Sequence, residues 1–244
     1  MKRILSNILL VISIVGVIFS GYKLYTIFHE YHEGNVEYKE LERHIKIDDK
    51  TPSEVKLDID FNQLLAINSN CIGWIYIPNT KINYPIVQST SNSYCLKHTF
   101  EGNSNIAGCI FISENNDNFK DKNTIIYGHN MNDGTMFTNI KNYKDQSFLD
   151  SQPYIYIAKP NGKTEKYKVF SAYTTEDGSD AYIITFAPNS FMKEVKNMIN
   201  RSEVKTKDFS ISDNDKIITL STCTSRRNHK LERFVVHAIK VDTY

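Results

Sequence analysis

Cys223, His129 and Arg233 are the residues of this chain whose types and settings could carry out nucleophilic acyl transfer. Cys223 closes the β-rich run Ile217-Ile218-Thr219-Leu220-Ser221-Thr222-Cys223, and His129 follows a second run, Thr124-Ile125-Ile126-Tyr127-Gly128. Arg233 opens a third, Arg233-Phe234-Val235-Val236-His237-Ala238. In acyl transfer the thiolate attacks, and a neighbouring imidazolium lowers the thiol pKa and later protonates the leaving amine. The tetrahedral intermediate carries an oxyanion, to which a guanidinium is a donor that stays protonated. Taken singly, each residue has a plainer role, because a strand-end Cys is commonly a small buried hydrophobe and a strand-edge Arg a solvated cation. His237 shares a strand face with Arg233 and Val235, yet four residues of strand put it roughly 13 Å from Arg233, too far for both to serve one carbonyl. One Cys and one His supply two metal ligands and no third stands at a recognisable spacing, so no metal or cofactor is expected.

Strands must hold these side chains. Alternation along Ile217 to Cys223 puts Cys223 on one face with Ser221 and Thr219, opposite Leu220 and Ile218, which point at the core. From residue 70 onward the chain reads as eight short strand candidates: 72–77, 84–87, 108–112, 124–127, 154–157, 166–170, 217–220 and 234–238. Eight such runs predict a barrel or sandwich. Helical spacing interrupts them at about Met136 to Leu149 and Ser190 to Asn200, the second with Phe191, Val195, Met198 and Ile199 on one side. Asn161-Gly162 predicts a hairpin turn, since both residues tolerate the positive φ that such turns need. Ahead of the strands, Asp60 to Ile67 has apolar residues at helical spacing, and the break at Thr51-Pro52-Ser53-Glu54 reads as a new helix start.

The N-terminus sets the compartment. Ile4 to Tyr22 holds no Asp, Glu, Lys, Arg or His, and as a helix it reaches roughly 28 Å, close to the hydrocarbon thickness of a bilayer. The run is longer than a signal-peptide core, lacks an A-x-A cleavage site and shows no polar face, so an uncleaved anchor is expected. Lys2 and Arg3 before it place the N-terminus in the cytoplasm and the rest of the chain outside. Residues 1–22 are thus expected to be the anchor, 23–52 a polar helical stalk and 53–244 an extracellular domain. With 29 Lys and Arg against 28 Asp and Glu, the formal charge of +1 gives no field to attract nucleic acid. Cysteines at 71, 95, 109 and 223 form no C-x-x-C pair; Cys71, Cys95 and Cys109 read as packing residues, with a Cys71 to Cys109 disulfide as the alternative.

Thr219-Leu220-Ser221-Thr222-Cys223, followed by Arg233 and preceded by Tyr127-Gly128-His129, resembles the signature of sortases, the membrane-anchored cysteine transpeptidases of Gram-positive cell surfaces. Gly73-Trp74-Ile75, Asn83-Tyr84-Pro85-Ile86, Asn130-Met131, Thr135-Met136-Phe137 and Phe170-Ser171-Ala172-Tyr173 are similar to class B, and the resemblance covers residues 60 to 241. It implies an eight-stranded β-barrel with an N-terminal helical extension. It also implies a thiol-protease-like first half-reaction, in which Cys223 cleaves an N-P-x-T-like C-terminal sorting motif of a secreted surface protein after Thr. An amine of peptidoglycan or its lipid-linked precursor then takes the acyl group. On this resemblance His129 is the general acid/base, Arg233 steadies the carbonyl and oxyanion, and Asn92, Leu96, Tyr182, Ile183, Ser221 and Thr222 line the substrate groove. Thr224 stands where some class members have Glu, and Cys95 where a Tyr is commoner; both touch groove shape.

Two other classes fit parts of the pattern. L,D-transpeptidases share the His-then-Cys order, but the Gly-rich segment that precedes their Cys is replaced here by Leu220-Ser221-Thr222. Papain-like enzymes place Cys ahead of His and at a helix start. The non-enzymatic alternative is an anchored barrel that binds a wall component and uses Cys223 structurally; an inert thiol would distinguish it.

Overall fold

In the computed structural model, residues 2–51, 54–223 and 231–244 are described. The first element, α1 (Lys2–Leu41), is one unbroken helix of 40 residues. Its apolar half is unpacked against the described residues of the domain: Leu10, Val15 and Phe19 are about three-fifths exposed. Its polar half docks. Gly34, Tyr38 and Leu41 recur at helical spacing, form one face and are buried against the domain.

The helix stops earlier than the polar composition predicts. After a single 3₁₀ turn (Glu42–His44), β1 (Ile45–Thr51) and β2 (Glu54–Ile59) form an antiparallel hairpin in which Ile45 faces Ile59 and Ile47 faces Leu57. The expected helical stalk over residues 45–50 and the expected helix start at Glu54 are therefore corrected to strand. The physical reason is a period of two, Ile-Lys-Ile-Asp against Val-Lys-Leu-Asp-Ile, which the charge count obscures. Ile47, Val55 and Leu57 pack with Tyr76 and Tyr156 on the outside of the barrel. The helix expected from Asp60 is present as α2 (Phe61–Ile67), and the Asp60 side chain caps it by accepting from Gln63 N at 3.2 Å.

All eight strand candidates are strands of one closed barrel: β3 (Cys71–Tyr76), β4 (Asn83–Gln88), β5 (Ile110–Ile112), β6 (Asn123–Tyr127), β7 (Tyr154–Ala158), β8 (Thr164–Glu176), β9 (Ile217–Cys223) and β10 (Glu232–Thr243). Their order around the barrel is β10-β8-β7-β3-β4-β5-β6-β9, closing through β9 and β10. Two neighbouring pairs, β4 with β5 and β6 with β9, are parallel, and the rest are antiparallel. The turn at Asn161-Gly162 joins β7 to β8, with Gly162 at φ +79°.

Between β4 and β5 lies the short helix α3 (Asn92–Cys95). The helical stretch expected from Met136 is a 3₁₀ helix (Phe137–Lys144) and then α4 (Gln146–Ser151), split where Asp145 takes extended backbone and caps α4. The last helix, α5 (Phe191–Arg201), buries Phe191, Val195 and Met198 as the spacing predicts. Two cores result. Trp74, Phe111, Leu220, Phe234 and Val236 belong to the main core, whereas Phe170, Val235 and Ile239 face the other way and pack under α5. Cys71, Cys95 and Cys109 are buried free thiols, so the alternative Cys71 to Cys109 disulfide is absent.

Candidate active site

The parallel pairing of β6 with β9 decides where the chemistry-bearing residues meet. Tyr127 stands beside Ser221 in register, so both strands leave the barrel at the same rim, with Gly128-His129 next to Thr222-Cys223. Two bonds fasten this exit: Gly128 N donates to Ser221 O at 3.2 Å, and Thr222 Oγ1 donates to Gly128 O at 2.8 Å. Because β10 runs antiparallel to β9, it begins where β9 ends, and Arg233 stands directly opposite Cys223. Gly128 has no room for a side chain, since a Cβ would come within 2.5 Å of Ile110 Cδ1 and 2.6 Å of Phe137 Cγ. The glycine lets the 3₁₀ helix press on the strand end and hold the next residue, whose carbonyl accepts from Phe137 N at 2.9 Å.

His129 is half-buried, and its Nε2 lies 2.8 Å from the carbonyl oxygen of Leu96. A carbonyl only accepts, so Nε2 carries the proton in this arrangement. Leu96 is presented by α3, which Ser91 caps by accepting from Tyr94 N at 3.2 Å. Asn92 and Glu114 exchange reciprocal bonds of 3.0 and 2.9 Å that tie α3 to the residues after β5. The loop returning from α3 to β5 is gripped by α1: Tyr38 Oη accepts from Phe100 N and donates to Gly108 O at 2.6 Å, and Glu37 accepts from Thr99, Glu101 and Asn103. Gly108, at φ +57°, could carry no Cβ, which would lie 2.7 Å from Cys95 O and 3.1 Å from the His129 ring.

Cys223 is exposed, and it opens with His129 and Arg233 onto one groove of ≈ 300 Å³. Four further predicted residues line the groove: Asn92, Leu96, Ser221 and Thr222. Thr222 turns its hydroxyl to Gly128 and so holds the rim together. Tyr182 stands behind Ser221, its hydroxyl 2.8 Å from Ser221 Oγ and its ring stacked on Tyr127 at 6.1 Å. Ile183 is half-buried one residue further on. Phe111, Tyr127 and Asp177 also line the groove, and sequence reasoning missed them as site residues. Tyr127 was detectable, because strand alternation gives it the parity of His129. Asp177 was not, since Asp-Gly after a strand reads as a turn. Burial pushes the Tyr127 phenol up to about 12 and raises Tyr182 as well, so both are neutral hydroxyls at ordinary pH. The Arg233 guanidinium donates through Nη2 to Asp177 Oδ2 at 2.9 Å and through Nη1 to the Glu232 carbonyl at 3.2 Å.

A buried polar string runs through the packing layer that contains Phe170 and Tyr173. Tyr173 Oη lies 3.2 Å from His237 Nε2, and His237 Nδ1 lies 2.9 Å from Thr219 Oγ1. Thr219 in turn donates to Asn123 Oδ1 at 2.8 Å, and Asn123 Nδ2 donates to Ile183 O at 2.9 Å. Since the Thr219 proton goes to Asn123, His237 donates from Nδ1 and accepts at Nε2 from the tyrosine. Each member then has a partner with the ring neutral. His237 therefore stands in the packing layer and takes no part in the groove.

The fold and site define a class: a closed mixed barrel with a thiol, an imidazole and a guanidinium at one rim, an arrangement suited to covalent acyl transfer. A sequence profile of the sortase domain matches residues 75–241. Sortase B of Listeria monocytogenes is 32% identical over 234 residues, covering 93% of each chain, and sortase B of Staphylococcus aureus is 32% identical over 245 residues, covering 98% of this chain and 97% of its own. The crystal structure of sortase B from Bacillus anthracis superposes with a TM-score of 0.74 at 32% identity, covering 88% of this chain and all of that one. The chain belongs to the sortase family of transpeptidases, in class B.

Proposed function

We propose that Cys223, His129 and Arg233 are the catalytic residues of this class B sortase, acting on an N-P-x-T-like sorting motif. The observation that carries the reading is their convergence on one groove, with Cys223 exposed while Cys71, Cys95 and Cys109 are buried. Burial raises the Cys71 thiol to about 11, which suits packing and opposes nucleophilic use. In the first half-reaction the Cys223 thiolate attacks the carbonyl carbon after Thr, and Arg233 donates to the oxygen as it becomes an oxyanion. The intermediate collapses with cleavage of the C–N bond, His129 protonates the departing amine, and a thioester remains on Cys223. In the second half an amine of peptidoglycan or its lipid-linked precursor attacks the thioester, the neutral His129 takes the amine's proton, a new amide forms and the thiolate is released; water in its place gives peptidase-type hydrolysis. Asn92, Leu96, Ser221 and Thr222 hold the motif in extended form along the groove, with Tyr182 backing Ser221 and Ile183 next to Tyr182 in the chain.

Residues 1–22 anchor the enzyme, with the N-terminus in the cytoplasm and the catalytic domain outside. The support is the apolar half of α1, which is long enough to cross a bilayer and is unpacked against the domain. The test uses the full chain in detergent, incubated with fluorogenic peptides of the N-P-x-T and L-P-x-T kinds and analysed by mass spectrometry. An adduct on Cys223 ending in Thr is expected with an N-P-x-T peptide. Cys223→Ala should lower peptide cleavage by at least about 10³-fold while leaving the melting temperature in place. Thr-terminated acylation persisting in that variant would refute the assignment.

A further inference from the structure

Among the described residues, Asp177 is a carboxylate of the groove lining that pairs with the proposed machinery, and its position is set by backbone on both sides. It follows the last residue of β8, and its N–H donates to Leu231 O at 2.7 Å, extending by one step the ladder in which Arg233 pairs with Thr175. Gly178 comes next at φ +76°, so the chain turns away at once and the Asp177 side chain is left facing the groove, 44% exposed. Its Oδ2 accepts from Arg233 Nη2 at 2.9 Å, and the arginine side chain is only 18% exposed. A free arginine side chain samples many rotamers, and a catalytic donor must already be aimed when the oxyanion forms.

We propose that Asp177 is the positioning residue for Arg233. With the Glu232 carbonyl on Nη1, the carboxylate fixes the guanidinium plane across from Cys223, and the five-donor fork can keep both partners while donating to a substrate oxygen. The carboxylate acts through the arginine and touches no reacting atom. Its negative charge also balances the cation while the groove is empty. This inference rests on the assignment of Arg233 as donor to the substrate carbonyl.

A double-mutant cycle on the full chain tests it, reading the rate of thioacyl formation on Cys223 with the N-P-x-T peptide. Arg233→Ala should lower the rate by about 10² to 10³-fold. Asp177→Asn, which keeps shape and removes charge, should lower kcat about tenfold with KM within about twofold, as for an interaction made in the transition state. Asp177→Glu should recover most of that loss, whereas a merely structural role would make the longer side chain no better than Asn. In the Arg233→Ala background, Asp177→Asn should change the rate by less than about twofold. An unchanged or raised kcat in Asp177→Asn, or an equal loss in both backgrounds, overturns the proposal. A wild-type rate in Arg233→Ala would instead overturn the assignment of Arg233, so the two failures are distinguishable. Asp177→Ser provides the same cycle should Asp177→Asn lower the melting temperature.

Discussion

The groove rim and the layer beneath α5 each contain a histidine, and the two are built for opposite ends. His129 stands two residues beyond the end of β6, is half-buried, and meets one backbone carbonyl with its ring. His237 lies within β10, is fully buried, and has both ring nitrogens engaged, by Thr219 and Tyr173. Burial lowers the His237 pKa from 6.5 to about 3, which fixes it as a neutral link in a string ending at the Ile183 carbonyl. A proton-transfer group needs solvent, substrate and a ring nitrogen to spare; a packing histidine needs every polar atom satisfied. The difference between the two regions comes from position along the strand, since at a strand end the ladder stops and the side chain is free to face a ligand.

The largest effect that sharpens this contrast is on the rim. His129→Ala should slow thioacyl formation by about 10² to 10⁴-fold with the fold retained, measured as acylation rate and melting temperature. A loss below about tenfold would place proton transfer elsewhere. In the packing layer the signature reverses: His237→Asn leaves a Tyr173 hydroxyl without its acceptor, which should cost about 1 to 3 kcal/mol in denaturant unfolding while acylation changes by less than about threefold. A catalytic loss comparable to that of His129→Ala would break the comparison.

The smallest effect is in pH. The folded-state pKa of His237 lies below its unfolded value, so its contribution to stability is complete above about pH 6.5 and is lost as pH falls toward about 3. The slope is at most about 1.4 kcal/mol per pH unit for one proton. Melting curves of wild type and His237→Asn should therefore converge as pH falls from 7 to 5, and parallel curves would show that His237 is not held neutral.

Much of the barrel was legible in the sequence. Each strand candidate is a β-branched or aromatic run closed by turn residues, and these signals are local. The hairpin of β1 and β2 was hidden because alternating charged residues at 46, 48, 56 and 58 resemble a solvated helix until the partner strand is known. Gly128 was visible as part of a motif, but its necessity arises from Phe137 and Ile110, which reach it from other elements. Asp177 carried no local signal, for its partner lies in another strand.

The sequence by itself determined the apolar run of α1, the strands, the face that Cys223 shares with Ser221 and Thr219, and the residue types that can do acyl transfer. Those properties depend on side-chain chemistry and on backbone periods that act within a few residues. Only the tertiary structure decided that β9 lies between β6 and β10, that His129 and Arg233 reach the same groove as Cys223, and that Asp177 holds the arginine. Gly128 and Thr222 are 94 residues apart in the chain and meet at 2.8 Å only because two parallel strands close the barrel there. A rim assembled by such pairing has no local signature, since the burial of the whole core sets the register.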